Sequence, residues 1–141
     1  MKHIFMDTNV VIDFLANRQP FSLDAARLFN IAVDGKARIY ISAVSYNNIY
    51  YILRQSLTYN ATIKLLDELA EITEIADVTN AIIRQSLKTD FKDYEDAIQY
   101  YCALSIPVID FIVTRNTKDL KKSTLPVLTP AEAISSLDSI L

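Results

Sequence analysis

Short runs of apolar residues, each followed by a longer stretch with helical spacing, recur along this chain and leave few folds open to it. The first run, His3-Ile4-Phe5-Met6, stops at polar Asp7-Thr8-Asn9 and reads as a buried strand ending in a loop. Residues 38–42 (RIYIS), 74–78 (EIADV), 108–113 (VIDFIV) and the short 127–129 read the same way. Between them the spacing predicts helices over residues 10–15, 23–33, 44–57, 60–72, 80–88 and 94–104. Ser22 and Thr79 are placed to cap two of these, Gly35 to stop one in the left-handed conformation, and Pro130 to open a last helix. Strands that alternate with helices and are apolar on both faces predict an α/β fold. The expectation is a three-layer α/β/α sandwich around a central, mainly parallel sheet of about four to five strands. No repeat or linker interrupts the pattern, so residues 1–141 are expected to form one domain.

Elimination then narrows the chemistry. Of the 141 residues only one is glycine, Gly35, so neither a dinucleotide-binding glycine fingerprint nor a phosphate-binding P-loop fits. The one histidine, His3, excludes multi-histidine metal sites, and the one cysteine, Cys102, excludes an internal disulfide or a cysteine-rich zinc site. No apolar run approaches the roughly 20 residues of a membrane span, and the N-terminus lacks the pattern of a signal peptide. A cytoplasmic protein without membrane partners is the resulting expectation. The net charge of −3 denies the chain the overall basic surface of a passive nucleic-acid-coating protein. It weighs less against a metal-dependent nuclease, whose carboxylates lower the formal charge and whose bound cation reverses the local sign.

Carboxylates are what remains. In an open α/β sheet ligands bind beyond the carboxyl ends of the strands. Asp7 follows the first strand directly, and Asp119 lies just past the fourth. Asp93 and Asp96, three residues apart at a helix start, can share one face. Such a cluster repels itself unless a hard dication neutralises it, and Mg²⁺ accepts oxygen ligands while keeping several waters. Each acid also has a plain structural reading. Asp7 and Asp93 can cap the helices they precede, Asp93 and Asp96 together resemble a capping box, and Asp119 can be solvated. Asp13 and Asp24 read as surface charges, and Tyr46, Tyr50, Tyr51, Tyr100 and Tyr101 as core or subunit-interface residues rather than base-stacking platforms.

Taken in order, several segments resemble the PIN-domain family, and within it the toxin ribonucleases of the VapC type. They are Met6-Asp7-Thr8-Asn9-Val10-Val11-Ile12-Asp13, Ile41-Ser42-Ala43 leading into Asn48-Ile49-Tyr50-Tyr51-Ile52-Leu53, Asp93-Tyr94-Glu95-Asp96-Ala97-Ile98-Gln99, Ile112-Val113-Thr114-Arg115-Asn116 and Val127-Leu128-Thr129-Pro130. The resemblance covers nearly the whole chain. It implies Mg²⁺- or Mn²⁺-dependent cleavage of RNA, an antitoxin protein as partner if the chain is the toxin of a pair, and a homodimer. By position it makes Asp7 and Asp96 the direct metal ligands and Asp93 an accessory acid. It puts Asn116 where the family has Asp or Asn, makes Thr8 and Asn9 orient Asp7, and places Thr114 near metal or phosphate. One position departs: where the family commonly has a metal-facing Glu, this chain has Asn48, which supplies an oxygen but no charge. Asp93, Glu95 and Asp119 are the candidates to compensate. Two other readings stay open. One is a PIN fold weakened in catalysis that serves as a binding or dimerisation module. The other is a phosphotransfer protein with Asp7 as nucleophile, disfavoured because Asn9 stands where haloacid-dehalogenase-like phosphatases usually place a second Asp.

Overall fold

The structure is a computed structural model and describes residues 1–138. Its centre is β1 (Lys2–Met6), whose last three residues are completely buried. Around it lie β2 (Ala37–Ser42), β3 (Glu74–Ala76), β4 (Phe111–Val113) and β5 (Val127–Leu128), in the order β3-β2-β1-β4-β5. Every pairing is parallel, with Ile4 opposite both Ile39 and Phe111.

Side chains alternate across the sheet as the strand period demands. Ile4, Met6, Ile39, Ile41, Phe111 and Val113 point to one face, where they meet the apolar sides of α1 (Thr8–Leu15), α2 (Ser22–Val33), α3 (Ala43–Leu53), α4 (Tyr59–Ile72) and α7 (Pro130–Asp138). Phe5 and Ile112 point to the other face, against α5 (Asn80–Leu87) and α6 (Tyr94–Leu104), which contributes Ile98, Tyr100, Cys102 and Ala103. The α/β/α sandwich expected from the alternation is therefore the fold, with all five strands parallel. Cys102 is buried and unpaired within the second core.

Several boundaries differ from the sequence reading for identifiable reasons. β3 stops at Ala76 because its neighbour stops at Ser42, which leaves the ladder to cap α3 with its side chain. β4 starts only at Phe111. Val108 is exposed, and the His3 N–H is taken by the Asp110 carboxylate at 2.7 Å. α3 ends at Leu53, where Arg54 reaches forward to the Leu57 carbonyl at 2.7 Å and closes a turn. Ser22 is inside α2 rather than at its cap. Phe21 holds that place without a side-chain bond, while the Ser22 hydroxyl accepts from Gln19 at 3.0 Å. Gly35 does end the α2 region with φ of 79°, a value that L side chains rarely adopt.

Candidate functional site

Three junctions where a polar residue turns the chain into a helix build the site. Asp7 turns β1 into α1, Ser42 turns β2 into α3, and Asp93 starts α6; each caps its helix with its side chain. Asp7, Asp93, Glu95, Asp96, Asn116 and Asp119 line one cleft of about 350 Å³, with Asn9 and Arg18 also at its wall. Asp119 is delivered by a 3₁₀ turn, Thr117–Leu120, after β4.

Asp7 is the most firmly held of the acids. One carboxylate oxygen accepts the Thr8 N–H at 2.8 Å and the other accepts the Thr114 hydroxyl at 2.7 Å. Thr114 in turn accepts the Asn116 N–H at 3.2 Å, so positions just after β4 fix an acid at the end of β1. Thr8 thus orients Asp7 through its backbone. Its hydroxyl points away, 2.6 Å from the Ser45 hydroxyl. Asn9 makes no bond to Asp7; its side-chain oxygen is buried without a hydrogen-bond partner. Asp93 acts as the helix cap, accepting the N–H groups of Glu95 at 2.8 Å and Asp96 at 3.4 Å. Asn48 lies on the facing helix and donates its amide to the Glu95 carboxylate at 3.1 Å.

The electrostatics reflect crowding. Burial pushes the Asp7 carboxyl up, against the hydrogen bonds from Thr114 and Thr8. Glu95 is exposed as a whole residue, yet desolvation, then Asp7 and Asp93, push its carboxyl up. For Asp96, burial comes first and the charges of Asp93, Asp7, Asp119 and Glu95 follow, which together raise it to about 7. Removing water and adding like charges both disfavour the ionised form.

Underneath lies a polar network that the sequence reading missed. Gln99, buried on α6, donates to the hydroxyls of Ser45 at 2.9 Å and Thr8 at 3.3 Å, and Ser45 also meets Ser42 at 2.8 Å. It ties the starts of α1 and α3 to the middle of α6. Its signal was present: Gln99 stands three residues after Asp96, on the same helical face, among otherwise apolar positions.

Asp13 requires a correction. Expected as a surface charge, it is 1% exposed. It accepts two bonds from Arg115, at 2.6 and 3.3 Å, and lies 3.8 Å from Arg18. The Arg115 guanidinium also sits 4.0 Å from the centre of the Phe21 ring. Asp24, by contrast, is only half-buried. The tyrosines divide: Tyr100 is in the core, and Tyr46, half-buried, reaches the Thr73 hydroxyl, while Tyr51 is 64% exposed. His3 is bonded to Tyr40 at 2.9 Å near the start of β1, away from the cleft at the carboxyl ends.

A family profile described as the PIN domain matches residues 3–118. This chain belongs to the PIN-domain family. The solved structures named next, each under 20% identical to it, share its fold. It is 19% identical to VapBC-1 from nontypeable Haemophilus influenzae, with a TM-score of 0.68 over 92% of this chain and 98% of that one. With VapBC2 from Rickettsia felis, bound to a DNA fragment from its promoter, the identity is 18% and the TM-score 0.66, over 90% and 98% of the chains. VapC20 of Mycobacterium tuberculosis, described as a toxin that cleaves the sarcin–ricin loop, is 15% identical, with a TM-score of 0.59 over 77% and 86%. No curated protein sequence matches the chain. Among the described residues no helix is long and apolar enough to cross a membrane.

Among the described residues no three acidic, histidine or cysteine side chains form a ready-made metal cage. Mg²⁺ dehydrates reluctantly and is usually held by one or two carboxylates, with water filling its other positions. The cleft offers such an ion the carboxylates of Asp7, Asp93, Glu95, Asp96 and Asp119 and the side-chain amide of Asn116 as oxygen donors.

Proposed function

We propose that residues 1–141 are one PIN nuclease domain that hydrolyses RNA phosphodiester bonds with Mg²⁺ or Mn²⁺ held by Asp7 and Asp96. The single observation that carries this reading is that carboxylates from the chain's beginning and its last third share one cleft and raise one another's pKa. Arg115 opposes that for Asp7, but only as the smallest of the influences on it. A bound dication removes the repulsion and supplies Lewis acidity to the scissile phosphate. Thr114 and the Thr8 N–H hold Asp7 in one rotamer, so its oxygens need no reorganisation when the ion arrives. In the metal-free cleft burial and like charges hold the Asp96 carboxyl at about 7, and the dication it would share with Asp7 would favour its ionised form.

A protein partner also belongs to this reading. The Rickettsia and Haemophilus relatives are VapBC structures, and a further neighbour at 21% identity is described as a toxin–antitoxin complex. In this chain, Tyr51, Tyr59 and Ile63 expose 64%, 56% and 40% of their surface on α3 and α4, a face that an antitoxin or a second copy would cover. The expected setting is a cytoplasmic toxin–antitoxin pair with a homodimeric toxin.

Calorimetric titration with Mn²⁺ and cleavage of a labelled oligoribonucleotide test the proposal together. Asp7→Asn and Asp96→Asn should each lower cleavage by about a hundredfold or more, as loss of one transition-state charge partner does elsewhere. Unchanged cleavage in both variants would falsify the assignment. Asn48, an amide facing Glu95, favours a second reading in which the fold binds without efficient catalysis. Tight Mn²⁺ binding with no cleavage of any RNA separates that reading from the first.

A further inference from the structure

A second groove, of about 590 Å³, adjoins the acidic cleft and shares Asp93, Asp96 and Asp119 with it. Its remaining wall is formed by Asp90, Phe91 and four lysines, Lys92, Lys118, Lys121 and Lys122. That gathers four of the chain's 14 basic residues in one place on a protein of net charge −3. Lys122 is paired with Asp90 at 2.7 Å, which joins the loop before α6 to the segment after the 3₁₀ turn and ties the two walls together. Lys92, Lys118 and Lys121 are exposed and, among the described residues, form no ion pair. Elsewhere several arginines are committed: Arg18 and Arg115 to Asp13, Arg27 to Asp138, Arg38 to Glu74.

We infer that this lysine wall is the track for the substrate's phosphates on one side of the scissile bond, with Lys92, Lys118 and Lys121 as its contacts. The inference rests on the ribonuclease reading and adds where the strand runs. An acidic cleft repels a polyanion at every phosphate except the one that meets the ion. Productive binding therefore needs cations close by but outside the cleft. The groove supplies them next to Asp119. Lys118 and Lys121 flank Leu120, which is buried in the second core, so both ride on a turn pinned to the body of the protein. Lysine contacts to phosphate are sequence-independent, so the track contributes affinity and register rather than base choice.

The test is fluorescence anisotropy of a labelled single-stranded oligoribonucleotide with the full chain, in Ca²⁺ so that the strand stays intact, at several salt concentrations. Each phosphate contact on a single strand contributes about −0.7 to the slope of log K against log salt. The triple variant K92Q/K118Q/K121Q should therefore flatten the slope by about 2, so that a fourfold dilution of salt gains it roughly twentyfold less affinity than it gains the parent. It should do so equally for different sequences. A charge-matched variant at lysines outside the groove, K2Q/K36Q/K64Q, should leave the slope unchanged. Equal slopes for the triple variant and the parent overturn the track. So does an equal loss in the charge-matched variant, which would make the effect one of net charge. So does displacement of the oligonucleotide from the parent, but not from the triple variant, by an oligoaspartate peptide at lower concentration than the RNA itself requires; that would mark the wall as a protein-docking surface. Mn²⁺ titration of the same variants distinguishes the failures: intact Mn²⁺ binding with unchanged slopes removes the track alone, whereas a parent that binds neither Mn²⁺ nor RNA removes the nuclease reading with it.

Discussion

Asp7 and Asp13 are acids at the two ends of one short helix, and adjacent residues after β4 hold them: Thr114 bonds Asp7 and Arg115 bonds Asp13. Their surroundings are opposite in kind. Asp13 is closed off and neutralised, with one arginine in bidentate contact and a second at 3.8 Å. Asp7 accepts hydrogen bonds from neutral donors only, most of the charged groups around its cleft are further acids, and Arg115 is the smallest influence on its carboxyl. A buried charge with its counter-ion built in is a structural device. A buried charge without one keeps an unmet electrostatic demand, which a ligand can meet. The contrast, a few residues apart, separates what holds this fold from what it holds ready.

The sharpest way to break that contrast is to remove the built-in counter-ion. Arg115→Ala leaves Asp13 buried with only the distant Arg18 and also strips the guanidinium from Phe21. Breaking a buried pair from one side costs about 3–5 kcal/mol, and urea denaturation should show a loss of that order. Asp13→Asn should cost less, because Arg115 and Arg18 are 24% and 41% exposed and can turn to water. If the two variants lose equal stability, the pair is not organised around Asp13.

Asp7 should respond differently to losing its donor. Thr114→Val keeps the side chain's shape but deletes the hydroxyl that bonds Asp7 and accepts from Asn116. The stability cost should be about 1 kcal/mol, while Mn²⁺ affinity should fall roughly tenfold, as it does when a metal ligand loses its orienting hydrogen bond. Calorimetry and denaturation on the same preparation check both. A variant that loses stability without losing affinity would make Thr114 a purely structural residue.

The fold was legible because its signal is local. Ile4, Phe5 and Met6 are apolar on both faces of a strand, and that alone places β1 in the middle of a covered parallel sheet. The site was half legible. Asp7, Asp93, Asp96 and Asp119 could be found because strand ends and helix starts mark where ligands bind, Asn116 only through the family resemblance, and all five line the cleft. The roles within it could not, because they depend on which way side chains turn. Thr8 turns its hydroxyl to Ser45 and Asn48 turns its amide to Glu95. Asp13 was misread for a related reason. Its partner Arg115 is 102 residues away in sequence, and no periodicity in α1 distinguishes a buried pair from a solvated charge.

Acidity offers a finer probe of the cleft. The Asp96 carboxyl, ordinarily at 3.8, is held at about 7 in the folded chain. Between those values the folded protein keeps a proton that the unfolded chain has released, so the metal-free protein loses stability as pH rises from about 4 to 7. Asp96→Asn removes that penalty. Its melting temperature should equal the parent's near pH 4 and exceed it by a few degrees, roughly 3 °C, at pH 8. Mn²⁺ should raise the parent's melting temperature at pH 8 and leave the variant's nearly unchanged. A melting difference that does not vary with pH would mean that Asp96 is not crowded by its neighbours.

The smallest effect is the most discriminating for the origin of the cleft's charge. Asn48 is neutral, but its amide holds the Glu95 carboxylate from the facing helix at 3.1 Å and favours its ionised form. Glu95 thereby supplies an acid from α6 on the side of the cleft where α3 has none. Asn48→Ala releases Glu95 to solvent, and because the bond is exposed its stability cost should stay below about 1 kcal/mol. If the held carboxylate matters to the ion, Mn²⁺ affinity should drop by about threefold, and Glu95→Gln should produce the same drop with no further loss when the two are combined. Additive losses would mean that Asn48 and Glu95 act on the ion separately. No loss in either variant would confine the charge that matters to Asp7 and Asp96.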